Sequence, residues 1–349
     1  MIDSISDLYS ALPQMMSGVT LENAIKTIPD YKADIVNENT TVRLLALTEL
    51  YEIYLPSKMT EEIYQKLYIA LMRSLQKKGT KLSVIQQNEN RKRILQRKYY
   101  GIMGGADCFT IIGQSGIGKS STIERSIAQI SGNETIVINQ PFSQIIPCLI
   151  VQCPYDSSVK GMLLDILLQV DERIGTKYYE SALRARATTD MLIGAVSQVS
   201  LNHVGMLIVD EIQNIVNNKN GKSLVAMLTQ LINSSGISIC MVGTPECTPF
   251  FEQEMQLARR SVGLQYDHLK YDIYFEKTCH LLLSYRYVKN AVDKSSGLLS
   301  WLYERSNGII GVLIALIHDA QEIAILNGSE TLNLQSLEEA EARFNIRLA

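Results

Sequence analysis

The hydrophobic positions of the chain form three successive patterns. Within residues 1–100, apolar residues recur at three- and four-residue spacing in Thr41–Tyr54 and Glu61–Leu75, which predicts two helices. Between Cys108 and Val242, short apolar runs alternate with segments of helical spacing. After Asp293 the spacing is helical throughout. The chain is therefore expected to begin and end in helical regions on either side of a mixed segment.

The middle pattern predicts a parallel β-sheet with helices on its faces, because alternating strands and helices are typical of α/β folds. The expected strands are Phe109–Ile112, Thr135–Ile138, Leu149–Gln152, Met206–Val209 and Ile237–Val242. The expected helices of the last pattern are Leu298–Arg305, Ile309–Leu326 and Leu334–Arg343. We expect an N-terminal helical region at 1–100, an α/β core at 101–290 and a small helical lid at 291–349.

Composition supports a folded protein without membrane segments. The 349 residues are 46% hydrophobic and 20% charged, which is enough to bury a full core. The longest apolar runs are shorter than the roughly 20 residues of a membrane-spanning helix. The first ten residues carry acids where a secretory signal has a basic region followed by an apolar stretch. We therefore expect a cytoplasmic protein.

Cysteines and charge exclude few functions. The six cysteines lie in or beside apolar runs without a C-x-x-C pair, so we expect small buried hydrophobes, not zinc ligands or disulfides. The net charge of −3 disfavours a protein that coats nucleic acid with its whole surface. A local basic face is still available, because residues 77–98 contain eight lysines and arginines and one acid, Glu89.

Residues Gly113-Gln-Ser-Gly-Ile-Gly-Lys-Ser120 match every fixed position of the phosphate-binding Walker A pattern, G-x-x-x-x-G-K-[ST]. The pattern directly follows a predicted strand and precedes a helix-forming segment. Its glycines let backbone N–H groups approach phosphate oxygens, while the lysine reaches the β- and γ-phosphates and the serine hydroxyl binds Mg²⁺. The sequence therefore predicts an ATP and Mg²⁺ site that includes Gly113, Gly116, Gly118, Lys119, Ser120 and Ser121.

A second predicted strand ends in two acids, Asp210 and Glu211, at the edge of the sheet where α/β proteins bind ligands. In a nucleotide site, Asp210 would hold Mg²⁺ and Glu211 would act as the general base for the attacking water. A solvated turn is the alternative interpretation of such a strand end. The Walker A loop makes the nucleotide interpretation, a Walker B strand, the favoured one.

Two further polar positions extend this hypothesis. Thr244, after the strand Ile237–Val242, is placed to hydrogen-bond the attacking water or the γ-phosphate; the alternative is a plain proline-containing turn. Arg259 and Arg260 are candidates for an arginine that reaches the γ-phosphate of a neighbouring subunit, with a solvated helix end as the alternative. The arginine role requires an oligomer.

These residues together resemble the AAA+ family, and more closely the TnsC and TniB regulators of bacterial DNA transposition. The motifs that carry the resemblance follow the Walker A loop in a fixed order: Cys153-Pro-Tyr-Asp-Ser-Ser-Val-Lys-Gly161, Val209-Asp-Glu-Ile-Gln-Asn214, Val242-Gly-Thr-Pro-Glu246, Leu257-Ala-Arg-Arg260 and Tyr303-Glu-Arg-Ser-Asn-Gly-Ile-Ile310. The similarity covers roughly residues 95–345.

The resemblance implies an ATP-dependent protein that assembles as a homo-oligomeric ring or filament on double-stranded DNA. It would link a target-selector protein, similar to TnsD or TniQ, to transposase subunits. Thr244 then corresponds to the first sensor and Arg259 or Arg260 to the arginine finger. Segment 307–313 has no arginine at the position of the second sensor of many AAA+ proteins, so we expect slow hydrolysis.

Lysines and arginines on one surface would bind the DNA backbone without selecting a sequence. Two regions are candidates. One is the stretch from Arg91 to Lys98, for which a solvated helix packed beside the nucleotide base is an equally good interpretation. The other, which the resemblance favours, is the group Lys160, Lys177, Arg184 and Arg186. Two other functions are compatible with the motifs. One is a helicase loader or replication initiator of the same ATPase clan; the other is a nucleotide-gated scaffold with little hydrolysis.

Overall fold

A computed structural model describes residues 2–4, 8, 10–78, 80–101, 107–132, 134–140, 142–216, 218–253, 263–292 and 297–343. The chain packs as two compact units. The first contains residues 1–16, 59–114 and 119–266, and the second contains residues 17–58, 115–118 and 267–349. Residues 1–100 therefore contribute to both units, and the division at residues 100 and 290 stays a prediction.

The first unit is built on a seven-stranded sheet in the order β1-β3-β4-β5-β6-β2-β7. Numbered along the chain, its strands are β1 Ile2–Ser4, β2 Cys108–Gly113, β3 Ile136–Gln140, β4 Phe142–Gln152, β5 Val204–Asp210, β6 Ser238–Gly243 and β7 Leu264–Tyr266. Every pair is parallel except β3 with β4. The predicted α/β class is confirmed.

The helices, also numbered along the chain within the described residues, flank the sheet or build the second unit. They are α1 Gly18–Ile25, α2 Thr40–Ala46, α3 Lys58–Lys78, α4 Lys81–Ile94, α5 Lys119–Ser131, α6 Val159–Ile174, α7 Tyr178–Arg184, α8 Thr189–His203, α9 Gly221–Ser235, α10 Thr248–Gln253, α11 Ile273–Ser284, α12 Leu298–Ser306, α13 Ile310–Leu326 and α14 Leu334–Arg343. In the described part of the chain, no helix is both long and apolar enough to cross a membrane.

Three adjacent strands of the sheet are buried along almost their whole length. Strands β2 and β6 are buried at every position, and β5 at every position before Asp210. Such continuous burial is expected for parallel strands covered on both faces. Gly205, in β5, is required by close packing, because a Cβ atom there would lie 2.4 Å from the carbonyl oxygen of Pro147.

Strands β1 and β7 were not predicted, and β1 lies in the region that was expected to be helical. Two predicted elements also differ clearly from their expected bounds. Strand β4 begins at Phe142, seven residues before the predicted Leu149; its first residues pair with β3 in antiparallel fashion and the rest pair with β5 in parallel. Pro147 lies within it, and a proline interrupts the sequence signal of a strand. The predicted helix Thr41–Tyr54 is shorter, because α2 ends at Ala46 and a 3₁₀ helix continues to Glu52.

The second unit is a helical cluster held by a buried ion pair. Arg43 of α2 is 2% exposed and binds Glu330, after α13, through two bonds of 2.6 and 2.7 Å. The same guanidinium donates to the Tyr287 carbonyl at 3.0 Å. The pKa of the Glu330 carboxyl is lowered, first by its hydrogen bond with Arg43. The N-terminal segment is thereby an integral part of the helical unit.

A buried lysine at the end of α3 provides a test of the packing in the first unit. Lys78, at the end of α3, donates to the carbonyls of Ser200 and Leu201 at 2.8 and 2.7 Å, near His203. Burial lowers its pKa to about 7. Between pH 7 and its ordinary pKa near 10.5, the unfolded chain holds a proton at this lysine that the folded chain has released. This group therefore makes the free energy of unfolding rise with pH in that window.

We predict that Lys78→Met flattens this rise. Urea unfolding at pH 7, 8, 9 and 10 would measure it in the wild type and the variant, with the exposed Lys81→Met as the matched control. Equal pH slopes for the wild type and Lys78→Met would contradict the prediction.

Candidate nucleotide site

The strand order of the first unit places three polar segments at one edge of the sheet. Strands β5, β6 and β2 are neighbours and run parallel, so their carboxyl ends lie side by side. Asp210 ends β5, Thr244 directly follows β6, and Gly113 ends β2. This is the edge at which open α/β sheets bind ligands.

Two glycines allow the loop after β2 to turn. Gly116 and Gly118 have φ angles of +82° and +95°, a region that side chains other than glycine rarely adopt. Within the second unit, the backbone N–H of Gly311 donates to the carbonyl of Gly116 at 2.9 Å. A Cβ atom on Gly116 would lie 2.9 Å from Cγ2 of Ile309. Segment 309–311 therefore contacts the Walker A loop through backbone and aliphatic atoms, a contact that the sequence motifs did not indicate.

Lys119 is the first residue of α5, and its side chain folds back on the loop. Its Nζ donates to the carbonyls of Gly113 and Gln114, each at 2.7 Å. Burial lowers the pKa of the ammonium, and the nearby Asp210 and Glu211 carboxylates act in the opposite direction. A lysine ammonium has three donors, so these two bonds hold the group at the loop and leave donor capacity for a phosphate oxygen.

The Ser120 hydroxyl and the Asp210 carboxylate are brought together from α5 and β5. Ser120 Oγ donates to Asp210 Oδ2 at 3.0 Å, and the Glu211 N–H donates to Asp210 Oδ1 at 2.8 Å. Hydroxyl and carboxylate oxygens are the donor set that Mg²⁺ prefers. These two residues fit a magnesium ion. Ser121 is exposed beside them in the first turn of α5.

Glu211 has an unusual backbone conformation. Its φ angle is +55° and its ψ angle is +35°, which places a residue other than glycine in the left-handed region. Strain of this kind costs on the order of 1 kcal/mol or more and is concentrated at functional sites. The exposed carboxylate accepts a hydrogen bond from Nε2 of Gln213, a partner that sequence reasoning did not identify.

Unpaired polar atoms occur at the end of β6. Among the described residues, Thr244 Oγ1 and Gln213 Oε1 are buried without a hydrogen-bond partner. Both belong to this edge: Thr244 follows Gly243 directly, and a Cβ atom built on Gly243 would lie 3.0 Å from Gln213 Oε1. Leaving a buried polar atom unpaired costs about 1–3 kcal/mol, so such atoms require an explanation. A bound water could pair with both atoms, whereas a phosphate oxygen could only accept from the Thr244 hydroxyl.

Other predicted residues lie elsewhere. Arg259 and Arg260 fall outside the described residues. All six cysteines are buried and free, which confirms the prediction of small buried hydrophobes.

The cations that the resemblance assigns to DNA contact are exposed, namely Lys160, Lys177, Arg184 and Arg186. In the other basic stretch, Arg93 is buried and paired with Asp190 at 2.6 Å, so it is not part of a basic surface.

Replacing Thr244 by the isosteric valine separates a functional hydroxyl from a structural one. We predict that Thr244→Val leaves the free energy of unfolding unchanged or raises it by about 1 kcal/mol, because a buried unpaired hydroxyl is removed. ATP hydrolysis falls at the same time, while nucleotide affinity is kept. Thr248→Val is the matched control, because Thr248 Oγ1 is also buried without a partner among the described residues.

Urea unfolding and a phosphate-release assay would measure both quantities for the two variants. Hydrolysis that falls equally in Thr244→Val and Thr248→Val, or in neither, would contradict a specific role of Thr244.

Several solved structures are similar to the chain at low sequence identity. The Aeropyrum pernix ORC1 protein in complex with DNA is 14% identical, with a TM-score of 0.48, over 75% of this chain and 64% of that one. This chain therefore spans less than two thirds of the length of that protein. The Aeropyrum pernix ORC2 protein (ADPNP-ADP complexes) is 14% identical, with a TM-score of 0.49, over 91% and 73% of the two chains. Drosophila ORC bound to DNA is 14% identical, with a TM-score of 0.48, over 97% of this chain and 72% of that one.

No curated protein matches the chain. Residues 101–270 match the model of the bacterial TniB protein family. This segment contains the Walker A loop, Asp210, Glu211 and Thr244. Residues 101–270, slightly less than half of the chain, are thus similar to the bacterial TniB protein family.

Proposed function

We propose that this protein is an ATP-dependent regulator of DNA transposition that assembles on double-stranded DNA. In this role it links a target selector, similar to TnsD or TniQ, to transposase subunits. The observation that carries the proposal is the arrangement of Lys119, Ser120 and Asp210 within the segment that matches the TniB family. That arrangement fits a nucleotide with its magnesium ion.

Each residue of the site has a distinct part in ATP hydrolysis. Lys119 would bind the β- and γ-phosphates, and Ser120 and Asp210 would hold Mg²⁺, which would neutralise charge that develops on the phosphate oxygens. Glu211 orients the attacking water and accepts its proton. Thr244 Oγ1 supplies a hydrogen bond to that water or to the γ-phosphate.

A neighbouring copy completes the site in this proposal. Arg259 or Arg260 of that copy neutralises the γ-phosphate, a contribution that reaches roughly 10³- to 10⁵-fold where an arginine finger has been characterised. Hydrolysis in the isolated chain is consequently slow. The absence of an arginine from residues 307–313 of the sequence supports slow turnover as well.

Duplex DNA binds through its phosphates. The exposed cations Lys160, Lys177, Arg184 and Arg186 support this, although Arg184 also pairs with the exposed Glu180 at 3.1 Å. Contacts of this kind release counterions, so affinity falls with salt and is largely independent of sequence. Nucleotide-dependent assembly then makes the protein a marker of the selected target, and hydrolysis removes it.

Assembly on DNA tests the proposal directly. Purified protein would be imaged by negative-stain electron microscopy with duplex DNA and a non-hydrolysable ATP analogue. We predict rings or filaments in the wild type and isolated particles in Lys119→Ala, because the variant loses the cation that binds the phosphates.

Glu211→Gln is the matched control, because it keeps the shape and hydrogen bonds of the side chain and loses the base. It should assemble with ATP and release phosphate at least about 10²-fold more slowly than the wild type. Isolated particles of the wild type under all conditions would contradict the proposed function.

A further inference from the structure

Helix α4 presents an apolar face to solvent. It buries five polar or charged residues, Ser83, Gln86, Glu89, Asn90 and Arg93. Leu82, Val84 and Ile85 are 48%, 59% and 47% exposed, and Leu95, at its C-terminal end, is 61% exposed. A helix on the surface of a globular protein normally has the opposite arrangement, with its apolar stripe toward the core.

Specific hydrogen bonds fix this orientation of α4. Asn90 donates to the carbonyl of Ser234 in α9 at 2.9 Å, and Arg93 binds Asp190 in α8 at 2.6 and 3.1 Å. Rotating the helix to bury Val84 and Ile85 would break these bonds, and a buried arginine without its partner is strongly unfavourable. The first unit therefore holds the apolar residues of α4 at its surface.

The exposed side of α4 carries aliphatic residues in its first half and a cation in its second half, and Leu95 follows the end of the helix. Helical periodicity places Val84, Arg91 and Leu95 along one stripe with Ile85 on its flank, and each is exposed. We call these four residues the α4 face. Its complement is a surface that combines exposed aliphatic side chains with acids.

Helix α14 has such a surface. It buries Ser336, Leu337 and Ala340 and turns its other side to solvent. Leu334 is 41% exposed at its start, and Glu338 and Glu339 are exposed one turn later. We call Leu334, Glu338 and Glu339 the α14 face. The α4 face begins with two aliphatic residues and the α14 face with one, Leu334. The charges that follow are of opposite sign in the two helices.

We propose that the α4 face of one copy of this protein docks on the α14 face of a second copy. Leu334 packs against Val84 and Ile85, and Glu338 pairs with Arg91. The contact joins two different surfaces, so successive copies extend into a ring or a helical filament and do not stop at a dimer. The inference rests on the proposed assembly and names the surfaces that form it.

The composition of the α4 face favours a protein partner over DNA. Contacts to DNA phosphates use cations and leave aliphatic side chains such as Val84 and Ile85 in water. Burying exposed aliphatic residues against another apolar surface is the main driving force of association between proteins. The experiment therefore has to distinguish DNA from a second copy of the protein as the occupant of the α4 face.

Substitutions at exposed positions test the interface without unfolding the chain. Assembly with duplex DNA and a non-hydrolysable ATP analogue would be followed by analytical ultracentrifugation. Val84→Ser/Ile85→Ser should raise the protein concentration needed for assembly by about tenfold or more. Val19→Ser/Leu45→Ser, which changes residues 70% and 67% exposed in the second unit, is the matched control and should assemble as the wild type does.

A charge swap tests the pairing itself. Arg91→Glu and Glu338→Arg should each weaken assembly several-fold, because each brings two like charges together in the contact. The chain that carries both substitutions should recover to within about twofold of the wild type. Lys26→Glu, at an exposed position outside both faces, should have no effect.

Three results would overturn the inference. If Val84→Ser/Ile85→Ser assembled at the same protein concentration as the wild type, the α4 face would not be an interface between copies. Failure of the double charge swap to recover would show that Arg91 and Glu338 do not meet. Weaker DNA binding by Arg91→Glu at concentrations where the chain is monomeric, with assembly unchanged in Val84→Ser/Ile85→Ser, would identify DNA as the occupant.

The same experiment separates this inference from the proposed function. If the wild type and every variant assembled equally well, only the proposed interface would be contradicted. Wild type that stays monomeric with nucleotide and DNA would contradict the proposed function and, with it, the interface.

Discussion

Parallel pairing of β5, β6 and β2 is the constraint on which the nucleotide site depends. The register pairs Val209 of β5 with Met241 of β6, and Ile112 of β2 with Gly243 of β6. The three strands therefore end together, and Asp210, Thr244 and the Walker A loop lie at one edge. Residues separated by about 100 positions in the sequence meet there because the backbone ladder fixes where each strand ends.

The end of β5 is also tied to a neighbouring loop. Cys153 donates its backbone N–H to the Asp210 carbonyl at 2.8 Å, and the Asn214 side chain donates to the Cys153 carbonyl at 2.8 Å. The Asn218 side chain donates to the carbonyl of Tyr155 at 2.6 Å. Tyr155 itself is 84% exposed. These short bonds join the end of β5 to the loop that precedes Lys160.

Local sequence signals predicted the central strands and the position of the Walker motifs, because buried parallel strands are continuous apolar runs and phosphate loops require glycines at fixed spacing. They did not predict the first residues of β4, where Pro147 interrupts the pattern, or the contact between Gly311 and Gly116, which joins distant residues through backbone atoms. They also could not show that α4 buries Asn90 and Arg93, because that preference depends on partners contributed by α8 and α9. The unpaired hydroxyl of Thr244 likewise becomes visible only when its surroundings are known.

In the proposed function, nucleotide bound at this site controls the affinity of the protein for duplex DNA. The most direct measurement is the dissociation constant for a duplex of arbitrary sequence, determined over a series of salt concentrations with a non-hydrolysable ATP analogue and with ADP. We predict tight binding with the analogue, a steep loss of affinity with salt and much weaker binding with ADP. Equal affinity with both nucleotides, or an affinity that salt does not change, would contradict it.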